Sequence, residues 1–206
     1  MATRRTSRIA AALAAPMTLL VTVALVSGCG EQPASPTPTQ GRQSLRPPVT
    51  AVSDHPSTPV SLEIDDEGAP TDPVATDAEG TLLPPTDIGR LGWWVDSSLP
   101  GSGSGTVVVA GHVDDIVQGA GYAARFADLT AGDTVTLVTA SRARIDYHVT
   151  SVIDAQKNGT GTDAVPYDEL NRQTGPETLA LVTCGGPFVG PPLGYRDNII
   201  AFASPS

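Results

Sequence analysis

The chain has 206 residues, room for one domain with accessory segments, and its twenty-one glycines and nineteen prolines against nine aromatics favour many turns over long helices. A net charge of −10 repels phosphate backbones and argues against nucleic-acid binding. The acidity reads as a solubility feature rather than a ligand site.

Residues 1–28 read as an export signal. Arg4, Arg5 and Arg8 form a positive start, an apolar run extends from Ile9 to Val26, and Ser27, Gly28 and Cys29 follow. The string Leu25-Val26-Ser27-Gly28-Cys29 resembles a bacterial lipobox, in which cleavage precedes Cys29 and the cysteine is acylated. The competing reading is an uncleaved signal anchor, because eighteen apolar residues just suffice to span a bilayer, although Pro16, Thr18 and Thr22 weaken it. Both readings place the rest of the chain outside the cytoplasm, tethered to the outer face of the cell membrane. If Cys29 carries lipid, Cys184 has no intramolecular partner, and an unpaired thiol in an oxidising compartment is a candidate nucleophile or a liability.

Residues 29–60 are rich in Pro, Ser, Thr and Gln without apolar periodicity, the composition of a disordered tether. The folded domain is expected over residues 61–206. Its acidic start, interrupted by Pro70 and Pro73, offers an edge strand at 60–64. From residue 81 short runs rich in Val, Ile and Thr alternate with turn residues, and predict strands at 105–111, 134–139, 144–156, 178–183 and 199–203. Residues 122–129 and 167–172 each offer a helical turn or two. Regular short strands with little helix predict an all-β fold, either a closed barrel or a sandwich, and periodicity does not choose between them.

Three histidines compete for a chemical role. His55 lies in the tether, and His148 alternates with Asp146 and Thr150 on a polar strand face. His112 instead follows the buried-looking run Val107-Val108-Val109-Ala110 and Gly111, at a strand end, where functional and structural readings are both open. Cys184 likewise follows Leu179-Ala180-Leu181-Val182-Thr183 and precedes the Gly185-Gly186-Pro187 turn; alone it reads as a buried filler. Arg196 opens the last apolar run and alone reads as an ion-paired surface residue. Together they form a thiol, an imidazole and a permanent cation, the components of nucleophilic acyl transfer with an oxyanion partner.

Ala110-Gly111-His112-Val113-Asp114, Leu181-Val182-Thr183-Cys184-Gly185-Gly186 and Tyr195-Arg196-Asp197-Asn198-Ile199-Ile200 resemble the histidine, cysteine and arginine motifs of sortases, the cell-wall transpeptidases of Gram-positive bacteria. Gly92-Trp93-Trp94, Pro100-Gly101 and Leu129-Thr130-Ala131-Gly132-Asp133 are similar to actinobacterial class F sortases in particular. One departure is Ala180-Leu181-Val182-Thr183-Cys184 where the family signature opens with threonine. The resemblance implies a closed eight-stranded sortase-type β-barrel with one or two short helical turns. It also implies that Cys184 attacks a Leu-Pro-x-Thr-Gly-like sorting signal, that His112 is general acid and base, and that Arg196 steadies the peptide and the oxyanion. No cofactor and no metal are expected. The partners would be surface proteins bearing sorting signals, an amine acceptor of the cell wall or a pilin, and the membrane through a lipid or signal anchor.

Residues 156–176 and the stiff Pro187–Gly194 loop, with Phe188, Val189 and Leu193, are the candidate walls of a peptide groove. Asp65, Asp66, Glu67, Asp114, Asp115 and Asp163 lack the spacing of a calcium loop and read as solvated. Leu83-Pro84-Pro85-Thr86-Asp87 itself resembles a sorting signal, read as a coincidence of composition or as a pseudosubstrate. The competing function is a lipid-tethered, non-catalytic binding lipoprotein built on a β-sandwich, with Cys184 structural.

Overall fold

The computed structural model describes residues 45–206. Its strands are β1 (Val49–Thr50), β2 (Pro59–Ile64), β3 (Glu67–Ala75), β4 (Leu91–Trp94), β5 (Thr106–Ala110), β6 (Asp114–Asp115), β7 (Gly119–Ala120), β8 (Thr134–Thr139), β9 (Arg144–Gln156), β10 (Thr178–Gly190) and β11 (Gly194–Pro205). Two 3₁₀ turns (Tyr122–Ala127 and Gly161–Asp163) and one short helix, α1 (Tyr167–Leu170), complete the domain.

Eight strands run in the order β3-β2-β8-β9-β11-β10-β5-β4, and a parallel β4–β3 pairing closes the circuit. The fold is therefore the closed barrel, not the sandwich. Closure leaves the ring without a free edge. β5–β10 is also parallel, β1 adds to the end of β3, and β6–β7 forms a separate hairpin.

Alternation assigns two faces to each strand. The inward rows of β2, β5, β8, β9 and β10 deliver Leu62, Val107, Val109, Val135, Leu137, Tyr147, Leu179 and Leu181 to one interior cluster, which Phe126 of the first 3₁₀ turn joins. Each such side chain contributes about 1.5–3 kcal/mol when fully buried. A second cluster lies on the other face of β5, β9, β10 and β11. There Val108, Ala155, Ala180 and Ile200 are covered by Val165, with Leu82, Trp94 and Leu170 packed against them. Both faces of β5 and of the first half of β10 are thus buried, which is why those strands read as continuous apolar runs.

The predicted strands at 134–139 and 144–156 coincide with β8 and β9. Other expectations shift. β10 and β11 continue beyond the predicted 178–183 and 199–203 into a long hairpin, so Cys184 lies within a strand rather than at its end. β3 contains both prolines that argued against a strand. Pro70 closes the ladder with β2, the ladder with β4 starts at Thr71, and the Pro73 carbonyl, which proline retains, accepts from the Ala51 amide at 3.1 Å.

The segment assigned to the tether also contributes to the fold. Val49 and Thr50 pair with β3, Thr58 is buried, and His55 sits in an exposed turn whose carbonyl accepts from the Thr58 amide at 2.9 Å. The export signal, Cys29 and the first part of the tether lie outside the described residues. No helix among the described residues is long and apolar enough to cross a membrane.

Candidate active site

β10 builds the site through its two rows. Leu179, Leu181 and Thr183 face the barrel, and the buried Thr183 hydroxyl donates to the Gly111 carbonyl at 2.9 Å. Ala180 and Val182 belong to the outer cluster, and Cys184 continues that row. The parallel register pairs Val182 with Ala110, and the Gly111 amide donates to the Val182 carbonyl at 3.0 Å. His112 lies two residues beyond Ala110, just past the end of β5, and Cys184 lies two residues beyond Val182 within β10. On the other flank Cys184 pairs with Asn198 of β11, and Arg196 lies two residues from Asn198 in the same row. Three motifs spread over 85 positions of sequence, from 112 to 196, therefore meet at one rim.

Two glycines permit this approach. A Cβ on Gly111 would stand 2.5 Å from both Ala123 Cβ and Leu91 Cδ2, so only glycine lets the 3₁₀ turn pack under His112. Gly186 has φ +68° and lies against the Asp197 carboxylate, closer than a side chain would allow.

His112 is partly buried, and its Nε2 has no hydrogen-bond partner. Burial pushes its pKa below the ordinary histidine value, opposed by the Pro84 carbonyl and by Asp115 and Asp114. Pro84 belongs to the sorting-signal-like string, which is tied down locally: Pro85 is buried and the Gln118 side-chain amide donates to the Thr86 carbonyl at 2.8 Å.

Arg196 does not touch the thiol. Its Nε and Nη2 donate to the two oxygens of Asp197 at 2.8 and 2.7 Å, a bidentate pair whose carboxylate is only 3% exposed while the arginine is 48% exposed. The arginine, and secondarily Lys157, hold the Asp197 carboxyl below its usual pKa against the opposing effect of burial. The group on the sulfur is Lys157, whose Nζ stands 3.5 Å from Cys184 Sγ and 3.4 Å from the Leu193 carbonyl oxygen. Neither Lys157 nor the role of Asp197 stands out from the sequence. The one available signal was that Lys157 is the sole lysine of the chain.

The walls anticipated at 156–176 and 187–194 flank this rim. Val165 and Leu170 close over the outer cluster, and the β10–β11 hairpin exposes Phe188 and Val189. Phe188 meets the Tyr195 ring edge-on at 5.3 Å. The Tyr195 hydroxyl donates to Asp114 at 2.5 Å, and that bond together with burial raises its pKa to about 12. Asp114 is thus a hydrogen-bond acceptor at the rim, not merely a solvated residue. His148 is exposed, with Nδ1 3.2 Å from the Thr134 hydroxyl, as its place on the polar face implied.

A closed eight-stranded barrel that gathers a free thiol, an imidazole and two cations at one rim has the form of a cysteine acyltransferase. The family model for the sortase domain matches residues 62–206. Among solved structures, sortase C-1 from Actinomyces oris is similar with a TM-score of 0.52 and 17% identity over 71% of this chain and 72% of that one. SortaseC1 from Streptococcus suis gives a TM-score of 0.52 and 17% identity over 72% of each chain. Sortase A from Corynebacterium diphtheriae gives 0.50 and 18% over 72% of this chain and 60% of that one. At such identities these likenesses concern the fold. No curated protein matches the chain. The chain belongs to the sortase family, whose members are cysteine transpeptidases that act outside the cytoplasm on proteins bearing sorting signals.

Proposed function

We propose that this transpeptidase uses Cys184 as nucleophile, His112 as general acid and base, and Arg196 as the substrate and oxyanion ligand. The substrate is a surface protein bearing a Leu-Pro-x-Thr-Gly-like signal. The Cys184 thiolate attacks the threonine carbonyl, and the bond to the next residue's nitrogen breaks as His112 gives that amine its proton. An amine of the cell envelope then attacks the thioester, returns a proton to His112 and releases the Cys184 thiolate. The new amide joins the protein to a wall precursor or a pilin.

The observation that supports this reading is the strand register, which pairs Val182 with Ala110, two residues before His112, and Cys184 with Asn198, two residues after Arg196. Burial of His112 supports a further feature. Desolvation holds the imidazole below its ordinary pKa and so favours its neutral form at neutral pH. Asp197 occupies Nε and Nη2 of Arg196, and Nη1 remains to bind a carbonyl oxygen. The exposed Phe188 and Val189 supply apolar contact for the Leu and Pro of the signal. The Trp93-Trp94 and Gly111-His112-Val113-Asp114 strings support assignment to class F, and the lipobox-like string supports lipid tethering through Cys29 to the outer membrane face.

Cleavage of a Leu-Pro-x-Thr-Gly peptide, followed with and without an amine acceptor, tests the reading. C184A should retain its fold and lose all cleavage, and the parent should yield the transfer product by mass spectrometry. Parental activity in C184A would sink it.

A further inference from the structure

We propose that Lys157 is a second cationic residue of the reaction, its ammonium set on the Cys184 sulfur to stabilise the negative charge that sulfur carries as nucleophile and as leaving group. The inference rests on Cys184 being the nucleophile. Lys157 follows directly on β9, and its amide donates to the Arg196 carbonyl at 3.1 Å, one step beyond the Gln156–Asp197 pair. That step makes Lys157 the cross-strand neighbour of Arg196, with both side chains on the face that carries Cys184. The two cations then divide the work. Arg196 is engaged by a buried carboxylate, whereas Lys157 spans the 3.5 Å to Sγ and the 3.4 Å to the Leu193 carbonyl.

A compact ammonium fits a single sulfur better than a planar guanidinium, whose fork matches a carboxylate. The other charged or titratable groups at this rim are His112 beyond β5, Tyr195, Asp114 on β6, and Asp197 and Asp154 on β11 and β9. Asp197 is neutralised by Arg196 and Asp114 is occupied by the Tyr195 hydroxyl, so Lys157 is the cation in contact with the thiol. The Leu193 carbonyl also ties the ammonium to the β10–β11 loop, coupling the charge on the sulfur to the groove wall.

Alkylation of Cys184 by the neutral reagent iodoacetamide, on the full-length chain and quantified on the Cys184 peptide by mass spectrometry, tests this without requiring turnover. At neutral pH and low salt, K157Q and K157M should alkylate roughly threefold to tenfold more slowly than the parent, and K157R should recover most of the rate. Added salt should slow the parent towards K157Q and leave K157Q unchanged. Parental rates in K157Q and K157M, with parental melting temperatures, would overturn the proposal. Equal slowing in K157R would overturn it as well, since that outcome reflects packing rather than charge. Failure of the nucleophile itself appears separately, as activity in C184A.

Discussion

Replacing Glu177 by glutamine tests how the strand bearing the thiol is held. Glu177 is 4% exposed and immediately precedes β10. Its Oε1 accepts from the Tyr147 hydroxyl at 2.5 Å and the Gly101 amide at 2.9 Å, and its Oε2 accepts from the Gly103 amide at 2.6 Å. Both oxygens face donors, and two of those donors are backbone amides that cannot rotate away. An amide side chain has one acceptor oxygen, so in either orientation its NH₂ group faces a donor. Losing one charge-assisted bond and orphaning its donor costs about 2–4 kcal/mol. For a domain in this size range each kcal/mol is worth about 2–4 °C, so E177Q should melt roughly 5–15 °C below the parent. Y147F, which removes one donor and leaves the carboxylate its backbone partners, should fall by less. Scanning calorimetry of parent, Y147F and E177Q at neutral pH measures both. A melting temperature for E177Q within about 1 °C of the parent would show that this carboxylate does not anchor β10.

Two further predictions concern the rim. In the fold His112 is held below its ordinary value, so its contribution to stability is present above about pH 6.5 and is lost as pH falls towards the lowered value. The His112 ring signals in NMR should titrate with a midpoint below about 6.5, and a midpoint above that would contradict the burial argument. For Asp197 the depressed carboxyl contributes stability that is present above about pH 4 and lost as pH falls through its folded-state value. D197N should therefore melt below the parent at pH 7 and converge with it in strong acid; a gap that stays constant down to pH 2 would rule out the ion pair as its source.

Much of the domain is encoded locally. Alternation from Ile145 to Val149 places Tyr147 and Val149 inward and His148 outward whatever lies beside the strand, so the first half of β9 is legible directly. The continuous Val107-Val108-Val109-Ala110 run signalled a strand covered on both faces. His112, Cys184 and Arg196 stood out through residue type and motif order. β3 was obscured because Pro70 and Pro73 are penalised by local propensity, whereas the strand satisfies its ladder by changing partners between them. The Gly185-Gly186-Pro187 string looked like the end of a strand, yet β10 runs through it because β11 pairs alongside as far as Gly194.

Residue types and their order carry an inventory: an acidic, turn-rich, all-β chain with one thiol in its folded part and the motifs that surround it. Which residues meet depends on the closed barrel. Lys157 lies 27 residues before Cys184, Glu177 lies 30 after Tyr147, and the closing β3–β4 contact joins strands separated by a loop. These pairings follow from strand register and barrel closure, which depend on every strand fitting its neighbours at once. No local window of residue types carries that information, and so the groups that hold the thiol in place became visible only when the barrel closed.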